Sequence, residues 1–317
     1  MRLINRHARK FSNLRYSDKY LGHKIAMDMR NFSNYFIFIA VLMVSAMSAA
    51  NDMVRYNISK LHPDPKQSYY IDLLTLILDA SRDKFGDYQL IPVTLEMSQG
   101  RTSIMVRQGK AIDVTWRMTS KSLEQELQAV YIPVLKGLMG ARIAIIRRED
   151  NAIFSPNLTL EELKALSAGQ GYDWPDSDIL RHNGFDVIEG SAFSMLTMLD
   201  KHRFDYFPRA LHEPWLEIAN NGKFIVEGHF LLKYPAPMYF FTSKKNTRLA
   251  KRIQYGFDSI IDSGAFDEFF YHHSVTRDIL VKANLPQRKV FSLENPLLSE
   301  KSREILNKKS LWLAYFH

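Results

Sequence analysis

Residues 234–263, YPAPMYFFTSKKNTRLAKRIQYGFDSIIDS, carry the pattern that decides the fold. Met238 to Thr242 is a short apolar run rich in aromatic residues, which reads as a buried strand. After the polar turn SKKN, the residues Leu249, Ile253, Phe257 and Ile260 recur at helical spacing and mark one face of a helix. A strand that feeds directly into an amphipathic helix is the repeating unit of α/β architecture.

Working outward, the same alternation runs through the chain from Asn51. Residues 53–58 read as a strand, and Tyr70, Leu73, Leu74 and Ile77 form a helical face. Residues 88–93 and 111–116 read as strands on either side of a helix at 99–108. Residues 141–146 (ARIAII) form a buried strand, and Thr159 with Glu162 makes a capping box for a helix running through Leu166. Ala192, Met195, Leu196 and Leu199 mark another helix ahead of a strand at 204–207. A last helix spans Ser299 to about Leu313. No repeat, low-complexity tract or long linker interrupts this order.

The chain has 317 residues and a net charge of +8. That charge sits at the start: residues 1–50 hold eight Lys and Arg against two Asp. The remainder has 34 basic and 32 acidic side chains. Nucleic-acid binding needs a basic face on the folded body, and this body requires none. Within the basic leader, residues 35–47 (YFIFIAVLMVSAM) are apolar, follow Arg30 and precede Ser48-Ala49-Ala50. A basic start, a short apolar core and a small-x-small exit are the parts of a secretory signal. The expectation is cleavage after Ala50, with Met29 as a possible true start. The absence of cysteine excludes lipid attachment at the new N-terminus, disulfides and thiolate metal sites.

Four stretches in this order resemble the type II periplasmic solute-binding proteins, in particular the family that binds polar amino acids (family 3). They are 69–78 (YYIDLLTLIL), 106–116 (VRQGKAIDVTW), 190–207 (GSAFSMLTMLDKHRFDYF) and 234–263. The second departs from the family's L-x-x-G-k-x-D step by Val106 and by one extra residue before Asp113. The third ends in an R-x-D at Arg203 and Asp205. The resemblance implies an α/β, two-lobed fold: two mixed sheets with helices on both faces and a hinge of two crossings. Residues 51–138 and 236–317, with C-terminal helices, would form lobe 1, and residues 139–235 lobe 2. The ligand would lie between them, at the carboxyl ends of the strands.

It also implies a periplasmic monomer that catalyses nothing and needs no cofactor. Such a protein captures a small polar, amino-acid-like or anionic solute by hinge closure and delivers it to an inner-membrane ABC permease. The other reading is a sensor module feeding a membrane signalling partner. In the family a lobe-1 arginine clamps the ligand carboxylate, but here Leu123 stands at that position. Arg117 or Arg101 must then supply the charge. Trp116, Arg117, Gln99, Arg101 and Thr119 are the lobe-1 ligand candidates. In lobe 2 the glycine-containing turn 169–176 (GQGYDWPD) offers Tyr172 and Trp174, with Asp176 expected to cap the following helix. Arg209 stands where the family places an acid for the ligand's ammonium. It is either a ligand contact or the partner of Glu213 across a helical turn.

The catalytic and metal signals are weak. His212-Glu213 lacks the second histidine of a zinc helix, and no phosphate-loop or G-x-S-x-G motif occurs.

Overall fold

The computed structural model describes residues 51–316. The leader and its expected cleavage site lie outside the described residues. Asn51 onward forms one compact unit.

Its first part is built from β1 (Asp52–Ile58), α1 (Gln67–Asp79), β2 (Tyr88–Thr94), α2 (Gln99–Gln108), β3 (Val114–Met118), α3 (Lys121–Glu126) and β4 (Gln128–Val130). The chain then enters β5 (Ala141–Arg147), α4 (Leu160–Lys164), β6 (Ser167–Gly171), α5 (Pro175–His182), β7 (Asp186–Gly190), α6 (Met195–Asp200), β8 (Tyr206–Ala210), β9 (Phe224–Val226) and β10 (Phe230–Lys233). It returns as β11 (Met238–Thr242) and α7 (Thr247–Asp262), continues through α8 (Ala265–His272), and ends with β12 (Lys289–Ser292) and α9 (Glu300–Leu306). Shorter helical turns are named by their residues.

β1 and β2 pair in parallel, while β11 lies antiparallel between β3 and β4. Asp113 joins these two small sheets. Its N–H donates to the Arg55 carbonyl (2.8 Å), and its carboxylate accepts from the Arg55 N–H and guanidinium. The larger sheet runs β12-β10-β5-β8-β6-β7, with β9 also on β5. The chain passes from the small sheets to the large one through residues 131–140 and back through residues 234–237. The sequence expectation grouped all of 236–317 with the first lobe. Instead, Lys289–Ser292 pairs in parallel with β10 and extends the larger sheet.

The hydrophobic pattern maps onto the cores. Leu73, Leu74 and Ile77 of α1 pack with Leu249, Ile253, Phe257 and Ile260 of α7 in the largest cluster. A second cluster joins Ala144 and Ile146 of β5 to Leu180, Tyr206, Phe230 and Phe291.

Two strands begin later than the apolar runs suggest. The strand expected at 111–116 is Val114–Met118, because Gly109 closes α2 in the left-handed region and Asp113 is taken up by Arg55. The strand expected at 204–207 is Tyr206–Ala210, because Asp205 is spent on the N–H and hydroxyl of Ser167. The long terminal helix stops at Leu306, since Leu313 must turn back to donate to the Lys136 carbonyl (2.9 Å). The Thr159–Glu162 capping box is present, on a helix that ends at Lys164 rather than Leu166.

α1 and α7 pack so closely that a Cβ at Gly256 would lie 2.0 Å from the Ile77 carbonyl oxygen. Gly256→Ala is therefore expected to destabilise the fold by about 1–3 kcal/mol, as overpacking does. The urea midpoint should fall with an unchanged m-value.

Candidate functional site

Side chains alternate along a strand, so β3 presents Trp116 and Arg117 to opposite sides. Trp116 turns toward α1 and stacks on Tyr70, with centroids 5.2 Å apart and planes at 17°; Phe240 meets it edge-on. Arg117 turns the other way and is buried under α2. Its Nη1 donates to the Gln99 carbonyl (3.1 Å) and to Ser103 Oγ (2.7 Å), and its Nη2 to the Asp173 carbonyl (3.1 Å). Asp173 belongs to the β6–α5 turn, where its φ of +62° places it in the left-handed region. Arg117 thus ties a β3 side chain to the backbone of the larger sheet's turn.

A cleft of about 970 Å³ opens beside this contact. One wall comes from α2 and α3, with Arg101, Ser103, Ser120, Ser122 and Leu123. The facing wall comes from α5 and the end of β7, with Trp174, Ser177, Asp178 and Glu189. Leu297, far along the chain, completes it.

Among the described residues six arginines are buried: Arg117, Arg142, Arg147, Arg209, Arg252 and Arg288. Five of them meet carboxylates. Arg117 is the exception: among the described residues no carboxylate oxygen comes within 4.0 Å of it, and its Nε has no partner. Burial pulls its pKa down to about 10, with Asp173 opposing, so it remains a cation at neutral pH.

A separate ionic cluster lies near Trp174. Arg209 projects from β8 and binds Glu217 through two hydrogen bonds (2.8 and 2.6 Å), with Glu213 at 3.0 Å. Its guanidinium lies 4.7 Å from the Trp174 ring centroid and 4.8 Å from that of Phe207. Lys66, buried at the start of α1, reaches the same Glu217 (2.9 Å). Burial disfavours the ionised form of Glu217, but Arg209 and Lys66 outweigh it and hold the carboxyl well below its usual range. Arg142 stands 2.6 Å from Asp176, which also accepts from the Tyr234 hydroxyl. His212, buried beside them, meets the Tyr70 hydroxyl at 3.2 Å through Nε2, while its Nδ1 has no partner.

The residues singled out from sequence therefore divide. Arg117, Arg101 and Trp174 line the cleft, and Gln99 supports it through the backbone carbonyl that holds Arg117. Arg209 is committed to Glu217 and Glu213 instead of facing the cleft, because a buried guanidinium needs carboxylate partners. Trp116 packs on Tyr70 against the core. Tyr172 is 59% exposed, and the cleft does not include it. Thr119 is fully buried, with its hydroxyl on Glu124 (2.6 Å). Asp176 caps nothing: Trp174 is the N-cap of α5, and the Asp176 carboxylate serves Arg142 and Tyr234.

Sequence reasoning missed Ser103, Ser122, Ser177, Asp178, Glu189 and Leu297. Isolated serines and acids carry no spacing signal, and Leu297 is distant in sequence. Among the described residues no group of three or more His, Cys, Asp or Glu is placed to hold a metal ion, and no helix is long and apolar enough to cross a membrane.

No family model matches the sequence, and no curated protein matches it. Solved structures do. A Salmonella typhimurium periplasmic binding protein with high arginine specificity aligns with TM-score 0.53 at 14% identity, covering 69% of this chain and 97% of that one. The chain has the type II periplasmic binding protein fold. An ancestral arginine-binding protein bound to arginine aligns at TM-score 0.51 and 16% identity, over 69% of this chain and 97% of its own. A histidine kinase sensor domain with similarity to periplasmic binding proteins gives TM-score 0.50 at 13% identity, over 69% and 94%. The likeness read from the four sequence stretches thus holds at the level of fold.

His212 gives the fold a pH dependence. Burial is the main cause that lowers its pKa to about 4; Glu213 opposes this, while Lys66, Arg142 and Arg209 reinforce it. The unfolded chain takes up this proton near pH 6.5 and the folded one only near pH 4. The stability is therefore complete above pH 6.5 and is lost as pH falls toward 4. Between pH 7.5 and 5 the loss is about 2 kcal/mol. Urea titrations should show that slope in the wild type and a flatter one in His212→Gln.

Proposed function

We propose that the protein is an exported solute receptor that binds its ligand in the α2/α3–α5 cleft and performs no chemistry on it. Arg117 is the observation that carries this reading. A desolvated cation with no carboxylate in ion-pair contact is costly in a folded protein. An anionic group of a ligand entering the adjacent cleft would make that contact through charge-assisted hydrogen bonds. Arg101 on the same wall reinforces the preference for an anion. Asp178 on the facing wall suits a positive group on the same molecule, whereas Glu189 there is held by Arg181 (3.1 Å). The ligand class is accordingly a small polar solute, anionic or amino-acid-like. Leu123, at the family's arginine position, lies on the cleft wall, and Arg117 takes over the charge from the preceding strand.

In this reading residues 139–235, with the β12 strand, form one lobe, and 51–138 with 236–283 form the other. Closure is a hinge motion about residues 131–140 and 234–237. Several contacts belong to the closed form: Arg117 on the Asp173 carbonyl, Lys66 on Glu217 and Tyr70 on His212. Residues 1–50 act as the export signal, and the receptor hands its solute to an inner-membrane ABC permease. A second reading, a ligand sensor for a membrane signalling partner, draws support from the fold shared with a histidine kinase sensor domain.

A thermal-shift screen of the chain from Asn51, against amino acids, di- and tricarboxylates, amines and sugar acids, tests the proposal. Ligands carrying a carboxylate should raise the melting temperature, and Arg117→Met should weaken the best of them by roughly 1.5–3 kcal/mol. An undiminished affinity in Arg117→Met would overturn the assignment. Arg209→Ala should behave differently. It leaves Glu217 and Glu213 buried without their main counter-charge and should cost about 3–5 kcal/mol of stability, seen in the urea midpoint.

A further inference from the structure

The last part of the chain touches both proposed lobes and both crossings. β12 extends the larger sheet beside β10, and Leu293 N–H donates to the Lys233 carbonyl (2.8 Å). Asn183 and Glu294 exchange two hydrogen bonds, of 2.8 and 3.0 Å. Asn295 Nδ2 then donates to the Pro235 carbonyl (2.7 Å), within one crossing. Its Oδ1 accepts from the Leu297 N–H (2.9 Å), and the Leu297 carbonyl accepts from the Lys121 N–H at the start of α3 (2.7 Å).

The attachment to α3 centres on Glu124. Its two carboxylate oxygens accept from four hydroxyls: Thr119 and Tyr131 of the first part of the chain, and Ser299 and Ser302 of the tail. Beyond α9 the tail reaches the other crossing. Leu313 donates to the Lys136 carbonyl, and Lys233 Nζ donates to the Tyr315 carbonyl (3.0 Å). Phe316 lies against Gly137, whose φ of +100° and lack of a Cβ admit the ring; a Cβ there would lie 2.6 Å from it.

We propose that residues 289–316 are a strap that fixes the hinge angle and forms part of the ligand cleft. The inference rests on the two-lobed reading above. Two crossing strands alone form a hinge. A third connection pinned to both crossings and to each lobe removes that freedom, as a third strut stiffens a two-pin joint. The strap also places Leu297 in the cleft wall, beside α3. Release of the strap from Glu124 and Pro235 is then the step that lets the cleft open.

The absence of native cysteine allows clean labelling. Spin labels at Lys251→Cys and Lys201→Cys, both exposed and one on each proposed lobe, report the interlobe distance by double electron–electron resonance without added solute. The labelled wild type should give one narrow distance. Asn295→Ala with Ser299→Ala, and separately Glu124→Gln, should each add a longer component while retaining a cooperative thermal melt. A wild-type distribution that is already broad overturns the proposal. So does one that stays narrow in both strap variants while Lys66→Ala with Tyr70→Phe broadens it, because the hinge then moves without regard to the strap. If no variant moves it, the halves do not open, and the hinge reading fails together with the strap.

Discussion

A guanidinium taken out of water has to meet a counter-charge, and this constraint orders much of the protein. Desolvation of a charge costs several kcal/mol, and only well-placed partners recover it. Arg252 therefore reaches from α7 to Asp52 and the carbonyls of Gly86 and Asp87, which docks β1 and β2 to the helix. Arg288 binds the buried Glu227 and the carbonyls of Phe230 and Ala283, fixing the approach to β12. Arg142 and Arg209 hold the first turn of α5 and the segment after β8 through Asp176 and Glu217. Arg117 breaks the pattern, and it does so at the edge of the cleft. A fold that neutralises its other buried arginines and leaves this one to carbonyls and a serine has set a charge aside.

The α/β alternation was legible in the sequence because strand and helix periods differ. Leu249, Ile253, Phe257 and Ile260 could only line a helix, and MYFFT at 238–242 matches its strand in full. Register at strand starts was less legible. Asp113 and Asp205 look like ends of apolar runs, yet each is consumed by a tertiary partner, Arg55 or Ser167, that no local pattern reveals.

The site was partly legible for the same reason. Arg117 could be read as cleft-facing from its place at a strand end. Arg209 and Trp116 had equal claims and went elsewhere, because alternation along β3 and the neighbours Glu217 and Tyr70 decided between faces. The serines of the cleft, and Leu297 above all, are brought in by packing across long stretches of chain. Likewise Asp176, which stands where a cap is expected, was claimed by Arg142. A charge partner in the interior outweighs a cap worth about 1 kcal/mol.

The largest core joins Val54 of β1 to Ile305, Trp312 and Leu313 near the other end of the chain. Contacts that distant in sequence are made late, since the entropy of closing so long a loop precedes any gain from the contact. The parallel partner of β10 arrives only with β12. The interior therefore stays unfinished until residues 289–313 have joined it.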